Sequence, residues 1–151
     1  MKDLKGCFIF LALAALATVI LGFLIMRNYG DRKVYPIEIT DMSTSAQPWI
    51  GRVVTLRVKV KTTQPAPYTD LTIVLPAGVK LVAGDLVWRG ELAANKTMTH
   101  EISVCTLAGG DWRIVAQVRT WQYEDYTDLT NIEEEVIHFN STKISPDGIC
   151  P

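Results

Sequence analysis

Two patterns of apolar and polar positions divide the chain at about residue 33. Residues 7–26, CFIFLALAALATVILGFLIM, form one unbroken apolar run without a charged residue or a proline. As a helix, twenty residues rise about 30 Å, the thickness of a bilayer's hydrocarbon core. The expectation is a transmembrane helix over 7–26, with a short flank at 1–6 and a polar linker at 27–33. From residue 34 onward the period changes to two. Val54, Leu56, Val58 and Val60 alternate with Thr55, Arg57, Lys59 and Lys61, as in a strand with one face in a core and one in water.

The same alternation recurs in short runs separated by Gly, Pro, Asn and Asp. Strands are expected over 34–39, 52–61, 70–75, 79–82, 86–92, 97–106, 112–121 and 134–139. Gln64-Pro65-Ala66-Pro67 is expected to be an extended break. Met98, His100, Ile102 and Val104 are assigned inward, as are Trp112, Ile114, Ala116 and Val118. Seven to eight short strands with turn signals between them predict an all-β fold, an immunoglobulin-like antiparallel β-sandwich over 34–151 behind one transmembrane α-helix.

The runs Leu71-Thr-Ile-Val-Leu-Pro-Ala-Gly-Val-Lys-Leu-Val-Ala-Gly84, Val87-Trp88-Arg-Gly-Glu-Leu92, Thr97–Val104 and Gly110-Asp111-Trp112-Arg-Ile114 carry a resemblance. They are similar to immunoglobulin-like domains of the bacterial and archaeal cell-adhesion-related (CARDB-like) surface type. In that pattern an "LP-x-G-V" strand end precedes "W-x-G-x-L", a threonine-rich strand and "G-x-W". The resemblance covers roughly residues 52–121. It implies an extracytoplasmic adhesion or assembly module and transfers no catalytic residue. It also sets the expected orientation, N-terminus in and domain out, because Lys2 and Lys5 before the apolar run and Arg27, Arg32 and Lys33 after it give no clear charge asymmetry.

Other readings of the N-terminal segment stay open. Ala15-Leu16-Ala17 offers a signal-peptidase site. Leu4-Lys5-Gly6-Cys7 is a poor lipobox, since Lys5 is wrong for one and the apolar run follows the cysteine. Lys5-Gly6 before Cys7 has the form of a pilin-type cleavage junction, with Leu11 where such pilins carry glutamate.

Charge and composition narrow the function. Apolar residues make up 48% of the chain and charged residues 21%, so wholesale disorder is excluded. Residues 34–151 hold ten Lys and Arg against fourteen Asp and Glu. That acidic balance argues against nucleic acid as a partner. The two histidines, His100 and His138, have no cysteine or carboxylate at ligand spacing, and no Gly-x-Ser-x-Gly occurs. No cofactor and no catalytic activity are expected.

Three cysteines are present. Cys7 belongs to the apolar segment. Cys105 and Cys150 both fall in the β-domain, where a disulfide would tie down the C-terminal tail in an oxidising compartment. Asn95-Lys-Thr97 and Asn140-Ser-Thr142 match the N-glycosylation pattern.

The most distinctive stretch is Trp121-Gln-Tyr-Glu-Asp-Tyr-Thr-Asp-Leu-Thr-Asn131. It interleaves Trp121, Tyr123 and Tyr126 with Glu124, Asp125 and Asp128 and is expected as a loop at one end of the sandwich. Aromatic rings offer large contact area at small entropic cost. These six residues are therefore the expected partner-binding set, with Tyr123 and Tyr126 both treated as contact residues. A calcium site at the acidic positions is a weaker reading, since no EF-hand spacing occurs. The expected function is a membrane-anchored extracytoplasmic module, on a single-pass anchor in the cytoplasmic membrane, that binds a protein partner. The alternatives are a pilin- or archaellum-like filament component and a carbohydrate-binding surface domain using Trp49 or Trp88.

Overall fold

The computed structural model describes Thr18 and residues 33–146, 148, 150 and 151. The chain divides into two compact units, Met1–Lys33 and Val34–Pro151, and the second is the β-domain. But for Thr18, the helix expected over 7–26 lies outside the described residues. Among the described residues no helix is long and apolar enough to cross a membrane.

Eight strands run in chain order: β1 (Ile37–Thr44), β2 (Val53–Thr62), β3 (Ala66–Val74), β4 (Val79–Ala83), β5 (Val87–Leu92), β6 (Thr97–Thr106), β7 (Gly110–Trp121) and β8 (Leu129–Ser141). They form two four-stranded sheets, β1-β2-β6-β4 and β5-β3-β7-β8, with every pairing antiparallel. Only β1–β2 and β7–β8 are sequential neighbours within a sheet; every link from β2 to β7 crosses to the other layer.

The core lies between the layers. The first sheet contributes Val54, Leu56, Val58, Val60, Ile102 and Val104; the second contributes Leu71, Ile73, Ile114, Ala116, Val118 and Phe139, all at most 2% exposed. These are the inward positions that period-two alternation selects. Phe139 is the largest fully buried side chain.

Three strand limits differ from the sequence expectation, each for a local reason. β1 runs from Ile37 to Thr44, later than 34–39, because a register shift between Ile39 and Asp41 breaks the alternation that would have marked its second half. β3 starts at Ala66, inside the expected break. Pro67 fits because the pairing with β5 shifts register between Ala66 and Thr69 and the pairing with β7 begins at Thr69, so no ladder donor is needed there. β8 extends over 129–141, well beyond 134–139. Its inward positions 133 and 135 carry glutamates, which hide the strand in the sequence. His100 falls on the inward side of β6 as expected, but only half-buried, with Nε2 2.8 Å from the Asp85 carbonyl oxygen.

Two glycine–tryptophan pairs explain the spacing of the "LP-x-G-V", "W-x-G" and "G-x-W" runs. The Trp112 indole, whose Nε1 donates to the Ala108 carbonyl at 2.9 Å, lies directly against Gly78, so that a Cβ there would collide with the ring. A Cβ on Gly90 would come within 2.7 Å of the Trp88 ring, two residues away on the same face of β5. Gly78→Ala should therefore force Trp112 out of its seat and destabilise the domain by about 2 kcal/mol, read from the urea midpoint at unchanged slope. The exposed neighbour Ala77 is the control: Ala77→Ser should stay within about 0.5 kcal/mol.

Candidate functional site

The outer faces of the two sheets differ in character. On the first, Thr55, Arg57, Lys59 and Lys61 of β2 stand beside Thr97, Thr99, Glu101 and Ser103 of β6. Two ion pairs lie on it: Arg57 Nε to Glu101 Oε1 at 2.7 Å and Lys59 Nζ to Asp41 Oδ2 at 3.2 Å. A hydrogen bond from Ser43 and the bond and charge of Lys59 hold the Asp41 carboxyl below its ordinary value. Its small contribution is therefore present above the ordinary carboxylate pKa and fades as pH falls through the lowered one. This is an ordinary wetted sheet face.

On the second sheet, alternation and register put Val74, Val115 and Val136 in one row, Val87, Thr72, Gln117 and Glu134 in the next, and Arg89, Asp70, Arg119 and Ile132 in a third. Trp121 lies opposite Leu129 at the end of β7. Of the large apolar side chains that are well exposed among the described residues, Val74, Val87, Leu129 and Ile132 lie on this face and Tyr123 on the adjoining loop. The first sheet's outer face shows only Val53.

The 122–128 loop folds onto this face. Gln122 N donates to Asp128 O at 3.0 Å and Tyr126 N to Tyr123 O at 3.1 Å. Asp125 Oδ1 accepts from Thr127 N at 3.2 Å and from Thr127 Oγ1 at 2.6 Å, a local side-chain turn. Tyr126 and Asp128 have φ of 56° and 58°, the left-handed region that is uncommon for residues other than glycine. Tyr126 is thereby turned back so that its ring meets Trp121 edge-on, centroids 6.4 Å apart, and the Arg89 guanidinium stands 4.9 Å from its centroid.

Below these rings lies a buried acid. Asp70 is 6% exposed; its Oδ1 accepts from Trp121 Nε1 at 3.0 Å, and Arg119 Nη1 approaches Oδ2 at 3.7 Å. Arg119 Nη2 donates to Gln117 Oε1 at 2.6 Å, and Gln117 Nε2 to Glu134 Oε2 at 2.7 Å. A carboxylate taken out of water needs such partners. The outer end of this series of bonds, Arg113 Nη2 to Glu134 Oε1 at 3.6 Å, is solvent-exposed and adds little.

The six residues expected as a binding set thus divide. Trp121 and Tyr126 are half-buried parts of the supporting cluster; Tyr126 is not a free contact residue, because the positive-φ backbone returns it onto Trp121 and Arg89. Tyr123, Glu124 and Asp125 are exposed, and Asp128 is half-buried. The loop itself is shorter than the expected 121–131, since Trp121 ends β7 and Leu129–Asn131 belong to β8. The acidic side chains do not converge: among the described residues no three His, Cys, Asp or Glu group as a metal site. Sequence reasoning missed Asp70, Arg89, Leu129 and Ile132 as members of this surface. The alternation that marks Arg113, Gln117 and Arg119 as outward was the available signal.

At the opposite end of β8, the Cys105–Cys150 disulfide is formed, with Cα atoms 5.8 Å apart. It fastens the C-terminal tail to β6.

No protein-family model matches this chain, and no curated protein does. Several solved structures are similar. One is native α2-macroglobulin from Escherichia coli, spanning domain MG7 to the C-terminus: TM-score 0.51 and 16% identity over 73% of this chain and 17% of that one. A conjugative transposon lipoprotein from Bacteroides eggerthii aligns with TM-score 0.42 and 12% identity over 71% of this chain and 97% of its own. A FixG-related protein from Vibrio parahaemolyticus aligns with TM-score 0.43 and 12% identity over 73% and 98%. At 16% identity the likeness to the α2-macroglobulin structure is one of fold alone.

Proposed function

We propose that this chain is an extracytoplasmic interaction module, tethered to the cytoplasmic membrane by residues 7–26, that binds a protein partner through the outer face of its second sheet. The observation that carries the reading is the difference between the two outer faces. An antiparallel sheet is expected to show water a polar face, as the first sheet does. The second shows Val74, Val87, Leu129, Ile132 and Tyr123, with 41–55% of each exposed. These apolar side chains form two groups, Val74 with Val87 and Leu129 with Ile132 and Tyr123, on either side of a polar band of Thr72, Gln117 and Arg119. Exposed apolar surface gathered on one face supports an interaction site, and its mixture with aromatic and arginine side chains is the composition of binding hot spots.

The Trp121–Tyr126–Asp70 cluster gives this surface a rigid backing, which lowers the entropy lost on binding. The Cys105–Cys150 bridge supports placement in an oxidising compartment, and with it the domain-out orientation. The finer kinship with cell-adhesion-related surface domains rests on the sequence runs that the Gly78–Trp112 and Gly90–Trp88 pairs explain.

Two substitutions separate contact from support. Tyr123→Ala should weaken partner capture at least about tenfold and leave thermal unfolding unchanged, because the residue is 55% exposed. Tyr126→Ala should lower stability by about 1–2 kcal/mol through loss of the ring contact and the cation–π contact. Equal stability losses in both, with capture unaffected by Tyr123→Ala, would remove the loop from the binding surface.

A further inference from the structure

A second, separate site lies at the far end of β8 from the 122–128 loop. There the segment before β2 and the end of β8 with the residues after it form a depression of about 200 Å³ lined by Gln47, Trp49, Asn140, Thr142 and Lys143. We propose that it binds a single pyranose unit bearing a carboxylate, that is, a uronic-acid residue.

The lining chemistry selects this ligand class. The half-buried Trp49 indole lines the depression, and an indole is the side chain that takes the C–H side of a sugar ring. Two primary amides and a hydroxyl each donate and accept, which is what hydroxyl groups on neighbouring ring carbons require. Lys143 adds one cation at the rim, where a carboxylate would stand. None of these four polar side chains hydrogen-bonds or ion-pairs with another described residue. On the sheet faces several polar side chains are instead paired with each other: Arg57 with Glu101, Gln117 with Glu134, and His138 Nδ1 with Asp111 Oδ1 at 3.1 Å.

The site is also held in place. The Arg52 guanidinium stands 5.4 Å from the Trp49 ring centroid and fixes the indole. Ile50 N donates to Lys143 O and Ser145 N to Ile50 O, both at 2.8 Å. The Ser141 hydroxyl donates to the Pro48 carbonyl. Gly51 N donates to Thr106 O at 2.8 Å, one residue from the disulfide at Cys105. The two lining segments are therefore joined to each other and to β6, and the backbone of both walls is in place before a ligand arrives.

The test is a titration of the full-length chain in a detergent without a sugar headgroup, followed by tryptophan fluorescence and amide NMR. The probes are methyl β-D-glucuronide, methyl β-D-glucoside and acetate. The expected result is saturable glucuronide binding with Kd of about 1 mM, the range that a ligand of this size reaches at ordinary efficiency. The glucoside should bind roughly tenfold more weakly, and acetate should not bind, as expected if the ring stacking and the charge both contribute. Lys143→Gln should bring the glucuronide down to the glucoside's affinity. Asn140→Ala should weaken both sugars; it and Lys143 are exposed, so neither variant threatens the fold. Acetate competing as well as the glucuronide would reduce the site to an anion patch and overturn the proposal. So would the absence of saturation by about 50 mM, an affinity below that expected of a specific site, or binding that both substitutions leave unchanged.

Discussion

Replacing Cys105 and Cys150 together by alanine is expected to destabilise the β-domain by about 4 kcal/mol, the chain-entropy value for a closed loop of this size. The bridge spans 45 residues of sequence, from β6 across β7 and β8 to the tail. Without it the unfolded chain regains the freedom of that loop, while the folded chain loses little more than the sulfur contact. Typical domains are stable by only about 5–15 kcal/mol in total, so the loss should be visible as a large drop in urea midpoint. The slope should rise, because the uncrosslinked unfolded state exposes more surface. Hydrogen exchange should quicken first at Ile50 and Ser145, whose amides donate to Lys143 O and Ile50 O. Leu56, in the middle of the core, should quicken only through global unfolding, by the factor that the loss in stability sets. A midpoint shift worth less than about 1 kcal/mol would mean that the tail is already fastened by its backbone bonds, contrary to the loop-entropy account.

The second large effect concerns the buried carboxylate. Asp70→Ala should cost about 3 kcal/mol, since it leaves the Arg119 guanidinium and the Trp121 indole N–H without their acceptor in a nearly dry position. The side chain of Asp70 is 8% exposed against 32% for Arg119, so the lower end of the buried-pair range applies. Asp70→Asn keeps the shape and an acceptor for the indole and gives up the charge; about half the loss is expected. Trp121 emission should shift to longer wavelength in the alanine variant as water reaches the ring. Asn and Ala variants of equal stability would show that the indole bond contributes nothing. An alanine variant as stable as the parent would mean that the acid is a passive surface group.

How much of this was legible in the sequence depends on how local each signal is. β2 and β6 were readable because each has one dry and one wet face, so Leu56 and Ile102 stand out by alternation. β8 was half-read because Glu133 and Glu135 occupy its inward positions. Only Ile137 and Phe139, the latter fully buried, mark its core-facing side. The disulfide was legible because only Cys105 and Cys150 fall in the β-domain.

The proposed binding surface was legible only in part. The aromatic and acidic character of 121–128 drew attention to the β7–β8 hairpin. Its inner arrangement depends on the left-handed backbone at Tyr126 and Asp128, which no side-chain pattern announces. Asp70 lies 51 residues from Trp121, and β3 becomes β7's neighbour only through the crossing topology. Of the Gln47–Lys143 depression only Trp49 was marked in the sequence, because its two walls are distant along the chain and meet only in the fold.

The most direct test of the proposed function is photo-crosslinking from single positions in intact membranes, with the photoreactive residue at Tyr123, at Ile132 or at Thr99. Tyr123 and Ile132 are exposed on the second sheet's side of the domain, and Thr99 is exposed on the first. The proposed binding surface predicts a discrete heavier adduct from Tyr123 and from Ile132 and none from Thr99. An adduct from Thr99, with none from the other two, would contradict it.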